Sequence, residues 1–212
     1  MGVISVSGKK AMGPGMGFLE RWSGVGGGLV AVLILGLLWQ LLQGGEDLEA
    51  RDLRGRTPLI MAAETGDLQQ VQQLTRRGVA IDAMDDCQWT AMMRAAGGGH
   101  QAILQVLLDE GAQINHLDKA GYSALMAAVI NNHRETARLL IERGAALDVQ
   151  SGDDGRTALM WAVRNRNADM VSLLLVAGAD QNVKNLQGQT AGDLALSLTS
   201  DESQASGSDV NP

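Results

Sequence analysis

Three histidines, one cysteine and two pairs of adjacent aspartates are the residues whose types could do chemistry in this chain of 212 residues. Two imidazoles could hold a metal ion, and a carboxylate pair could share a proton as general acid and base. Spacing argues against both. His100 and His133 are 33 residues apart, which sets them one structural repeat apart, whereas ring nitrogens on one zinc ion must each approach within about 2.0–2.1 Å. His116 has Asp118 and Lys119 near it but no Ser or Cys in a nucleophile context. Asp85 with Asp86, and Asp153 with Asp154, stand in turn sequences and read as solvated turn residues. Cys87 is alone, so neither a disulfide within the chain nor a cysteine zinc site can form. No G-x-S-x-G, P-loop or H-E-x-x-H pattern occurs, and the glycines of "SGVGGG" lead into an apolar run without the Lys-Ser/Thr ending of a phosphate cradle. The expectation is a protein that is not an enzyme and that needs no metal or cofactor.

The elements that position these residues repeat. Thr57, Thr90, Ser123, Thr157 and Thr190 recur every 33 or 34 residues, and Gly78, Gly111, Gly144 and Gly178 keep the same register. Each unit opens on a turn (DLRGRT, DDCQWT, DKAGYS, DDGRT) and enters a short Ala-rich apolar segment. A second segment follows (LQQVQQL, AILQVLL, ETARLLI, MVSLLLV) with apolar residues at helical spacing, and then the glycine. The spacing predicts turn, helix, turn, helix. One Phe, one Tyr and four Trp, against plentiful Ala, Leu, Gly and Met, agree with an all-α chain packed through small side chains.

The stretches "GRTPLIMAAETGD" at 55–67, "GGHQAILQVLLDEGAQIN" at 98–115, "ARLLIERGAALD" at 137–148 and "GRTALMWAVRNRNADMVSLLLVAGADQN" at 155–182 resemble the ankyrin repeat. The resemblance implies a solenoid of four full repeats over 48–196, with "GQTAGDLAL" at 188–196 starting a partial fifth, and the small polar residues after it predict a disordered tail over 197–212. Ile60, Met93, Met126 and Met160 stand where the T-P-L-H motif has His, so packing must replace the hydrogen bonds of that side chain.

What such repeats do is bind other proteins along a concave groove. Carrying the family's contact positions onto this sequence gives Arg54, Arg56 and Glu64 from the first unit, and Asp86 and Trp89 from the second. Lys119, Tyr122, Ile130 and Asn131 follow from the third, and Asp153, Asp154, Arg156 and Arg164 from the fourth. Trp89 and Tyr122 share one register position with Arg56 and Arg156, and Trp, Tyr and Arg are common interface anchors. Either those rings meet a partner or they cover the sides of the turns. Trp161, inside a first helix, reads as packing. "AAGGGH" at 95–100 reads as a loop, or as room left in the groove.

Net charge is −7, with no basic run outside the N-terminal stretch, which argues against nucleic acid. No small-molecule substrate is expected. From Gly24 to Leu42 there are 19 residues without a charge, about 28 Å as a helix, close to the roughly 30 Å hydrocarbon core. Lys9, Lys10 and Arg21 precede this run and Glu46, Asp47 and Glu49 follow it. The expected organisation is a cytoplasmic segment 1–23, an uncleaved transmembrane signal anchor 24–43 and a hinge 44–47. The repeats would then stand in the periplasm of a bacterial inner membrane, serving as an adaptor, a scaffold or a protective partner. The alternative is an immunity or inhibitor protein blocking an exported toxin or hydrolase.

Overall fold

A computed structural model describes residues 47–205. The expected cytoplasmic segment, membrane span and most of the hinge lie outside the described residues, and among those described no helix is long and apolar enough to cross a membrane.

Among the described residues eight helices come in pairs: α1 (Pro58–Thr65) with α2 (Leu68–Arg76), α3 (Ala91–Gly97) with α4 (Gln101–Asp109), α5 (Ala124–Ile130) with α6 (Arg134–Glu142), and α7 (Ala158–Arg164) with α8 (Ala168–Val176). A ninth, α9 (Ala191–Ala205), follows alone. The first helices pack against one another in one row and the second helices in another, with the first row the more closely packed. Small residues allow this: Ala62, Ala63, Ala95, Ala96, Ala128 and Ala162 are all buried between neighbouring first helices and their partners.

The repeating Thr or Ser starts each first helix. Its hydroxyl oxygen accepts from the third helical N–H: Ile60 to Thr57 at 3.4 Å, Met93 to Thr90 at 3.3 Å, Met126 to Ser123 at 3.2 Å and Met160 to Thr157 at 3.4 Å. Pro58 sits at the first turn, where its missing N–H costs nothing. Ile60, Met93, Met126 and Met160 form a column no more than 1% exposed, so dispersion contacts do take the place of a polar ladder there.

Two sets of hydrogen bonds tie unit to unit. At the fingers before each first helix, Asp86 N–H donates to Arg54 O, Lys119 to Cys87, Gly152 to Ala120 and Leu186 to Asp154. Behind the second helices, Glu49, Asp82, Asn115 and Asp148 accept from the amides of Ala80, Gln113, Ala146 and Asp180 in the following unit. Glu49 keeps the register of this ladder, and Leu48 packs on the core. Glu49 thus takes in the first unit the place that Asp82, Asn115 and Asp148 take in the later ones.

At the far end α9 runs on to Ala205, through most of the stretch expected to be disordered. Leu196, Leu198, Glu202, Gln204 and Ala205 are good helix formers, and no Gly or Pro intervenes before Gly207. The fifth unit therefore contributes one helix among the described residues. Leu175 and Val176 of α8 are left exposed beside it, lining an apolar hollow of about 600 Å³ with Val163, Val171, Ala195 and Leu198.

Candidate protein-binding groove

The groove is built from fingers and the first helices behind them. Of the five fingers among the described residues, four close on one polar side chain: Asp52 Oδ1 accepts from the amides of Arg54 and Arg56, Asp85 Oδ1 from Cys87 and Trp89, Asp118 Oδ1 from Ala120 and Tyr122, and Asn185 Oδ1 from Gln187 and Gln189, while in the fourth unit the Arg156 amide donates to both Ser151 Oγ and Asp154 Oδ1. That local turn fixes where the next side chain, Arg56, Trp89, Tyr122 or Gln189, leaves the finger. In the first and third units Gly55 and Gly121 supply the positive φ the turn needs, and in the second Gln88 adopts it at φ 64°.

Asp85 is not the solvated turn residue expected from the sequence. It is 6% exposed, and Arg94 meets it at 2.6 Å. Two amide bonds and that ion pair compensate the loss of water.

In the first two units the site residues are tied to one another. Arg56 bonds Asp52 at 2.7 Å and also pairs with Glu64, whose other oxygen is 3.5 Å from Arg94. The Arg56 side chain and two backbone amides hold the Asp52 carboxyl at about 2. The Arg94 guanidinium lies 4.6 Å from the Trp89 ring centre. Trp89 is thus half-buried against the core and under Arg94, covering the side of its turn with part of its ring exposed. Arg54 and Asp86 are exposed on the fingers.

Gly97 ends α3 beside this ring. A Cβ added there would lie 3.8 Å from Trp89 Cζ3 and 3.7 Å from Asn131 Nδ2, with no steric conflict. α3 is as long as α5 and α7, so the glycine-rich stretch does not begin as a loop. Gly98 caps the helix and Gly99, at φ 71°, makes the turn.

The third and fourth units bring a different cluster together. Tyr122 Oη donates to Asp153 at 2.9 Å, and its ring centre is 6.1 Å from that of Trp161. Arg156 and Arg164 stack on Trp161 at 5.2 and 5.0 Å. Burial, with the Asp153 hydrogen bond second, pushes the Tyr122 phenol up to about 12. Burial raises Asp153 as well, but hydrogen bonds led by that from Tyr122 outweigh it and leave the carboxyl low. Arg156 pairs with Asp154 at 2.7 Å. Lys119 and Asn131 are exposed, while Ile130 is half-buried and its carbonyl accepts from Asn165 at 2.9 Å.

Trp161 is half-buried and packed on the core, as the sequence predicts, and it packs on the groove side of α7 among Tyr122, Arg156 and Arg164. Arg94 is the site residue that the sequence reading missed. Trp161 stands one helical turn before Arg164, so an i, i+3 reading of that helix puts the two on one face, and Arg94 holds the register position of Trp161 in the second unit.

The histidines are packing groups. His100 lies against Gly66 and bonds Glu64 O at 3.3 Å, and His133 lies against Gly99. His116 bonds Gln88 O at 2.9 Å. Among the described residues no group of three His, Cys, Asp or Glu is arranged to hold a metal.

A family model described as ankyrin repeats in three copies matches residues 29–118 and 110–185. The first match opens inside the apolar run that precedes the described residues. No curated protein matches the chain.

Proposed function

Because the chain belongs to the ankyrin-repeat family, we propose that it is a non-enzymatic adaptor that holds a partner protein in the groove of its fingers and first helices. Ankyrin repeats are generally protein–protein interaction modules, and stacked units present one continuous surface in which neighbouring repeats each add a few contacts. The observation that carries this reading is the aromatic and arginine cluster of Tyr122, Trp161, Arg156 and Arg164, half-buried to exposed and aligned across two units. Residues of these types anchor interfaces because a rigid ring and a planar cation give much contact for little lost freedom.

The tether is part of the proposal. Residues 24–43 act as a single membrane span with Lys9, Lys10 and Arg21 on the cytoplasmic side and the groove outside, and what supports it is length, absence of charge and flanking charge asymmetry. A second reading of 29–46 comes from the family match, which opens at residue 29, and from Gly45, one 33-residue period before Gly78. That run would then be the close of a preceding repeat. Cys87, the only cysteine and exposed, separates the two. In intact cells an impermeant maleimide labels Cys87 if the repeats stand outside the membrane. Labelling only after lysis, with the protein in the soluble fraction, rejects the tether.

A further inference from the structure

We propose that Arg156 and Arg164 form a carboxylate-binding subsite of the groove, taking an acidic side chain of a partner peptide flanked by an aliphatic residue. This rests on the groove reading above and names what the groove's fourth unit holds. Two units of the same fold differ at this place. Arg56 and Arg156 hold one register position, and Glu64 and Arg164 hold another at the end of the first helix. In the first unit the pair is complementary, and the Glu64 carboxylate sits between Arg56 and Arg94. In the fourth unit the matching pair is two cations. Arg156 has Asp154, whereas Arg164 is exposed, stacks on Trp161 and has no ion-pair partner among the described residues.

Three further features fit an incoming carboxylate. Arg156 and Arg164 line a hollow of about 300 Å³ whose other walls are Gln189, Leu194, Ser197 and Leu198, which offers an amide donor and two aliphatic side chains beside the cations. The unsatisfied buried polar atoms nearby, Arg156 Nε and Trp161 Nε1, are both donors. A guanidinium also suits a carboxylate in a bidentate pair, which adds geometry to charge. A polyanion fits poorly, because the chain carries −7 overall and Asp153, Asp154 and Asp193 stand in the same units. One carboxylate with an apolar neighbour meets the local charge without meeting that repulsion.

The probe is a library of phage-displayed random heptapeptides panned on the full chain and on Arg164→Glu, a variant that recreates the first unit's arginine–glutamate pairing within the protein. The chain should enrich heptamers carrying Asp or Glu next to an aliphatic residue. Their synthetic forms should bind Arg164→Glu at least about tenfold more weakly, Arg164→Lys with intermediate affinity, and Arg76→Ala, on the opposite row of helices, unchanged. Enrichment of heptamers without a carboxylate, equal binding to Arg164→Glu, or no enrichment over a bare surface overturns the subsite. Cross-linking of a partner from Cys87 reads the groove separately, so the subsite can fail while the groove stands.

Discussion

The ring of His133 occupies the space a side chain on Gly99 would need: a Cβ built there would lie 2.5 Å from His133 Nδ1. His100 has the same relation to Gly66, at 2.7 Å from Cε1. Where the next unit has Asn132 in place of the glycine, the following residue is Asn167 and not His, and the two side chains bond at 3.2 Å. The identity of one residue in a unit thus sets what the next unit can carry.

Gly99→Ala should therefore destabilise by about 2–4 kcal/mol, since overpacking adds to the strain of a positive φ. His133→Ala in the same chain should recover the overpacking share and leave the φ share. Urea unfolding of the three variants measures this, and additive losses would refute the coupling.

Gln88 holds φ 64° at a place where four other fingers have Gly55, Gly121, Gly155 and Gly188. Replacing it with glycine should stabilise the chain by about 1 kcal/mol, the strain removed being larger than the added chain entropy. A lowered denaturation midpoint for Gln88→Gly would mean that the Gln88 side chain contributes contacts that outweigh its backbone strain.

Tyr122 is the only tyrosine, so the phenolate absorbance of the folded protein reports this one group. It should titrate at about 12, against an ordinary 10.0. A raised value means that the neutral phenol favours the fold, with the contribution complete below 10.0 and lost as pH rises through about 12. Asp153→Asn should bring the value part of the way down, because burial is the larger cause. An unchanged value in that variant would show that the hydrogen bond has no part in it.

Asp52 titrates in the opposite sense. Its folded value of about 2 lies below the ordinary 3.8, so its contribution is present above 3.8 and is lost as pH falls towards 2. Asp52→Asn should flatten the acid limb of the stability curve over that window. A limb of unchanged slope would assign the acid loss to other carboxylates.

Much of this architecture was legible in the sequence because a repeat states each local solution several times. The capping Thr or Ser, the finger turns and the glycine after each second helix all stood in a visible register. Side-chain partnership was not legible. Nothing in "DLRGRT" says that Arg56 spends its charge on Asp52 and Glu64, because Glu64 comes into reach only when α1 turns back beneath the finger. Asp85 was read as solvated for the same reason: its burial depends on Arg94, which is nine residues away in the chain and 2.6 Å away in the fold. Trp161 looked like core because an aromatic inside an Ala-rich helix usually is. Only the stacking of Arg156 and Arg164 on it places it in the groove.

The proposed groove holds partners on the finger and first-helix side. The direct measurement is photo-crosslinking in cells from a benzophenone maleimide at Cys87, compared with the same reagent at Gln105→Cys on the outer face of α4 in a Cys87→Ser chain. A groove predicts a partner adduct from Cys87 that is absent from position 105 and is weakened by Trp161→Ala. The same adducts from both positions, or an adduct from position 105 alone, would contradict it.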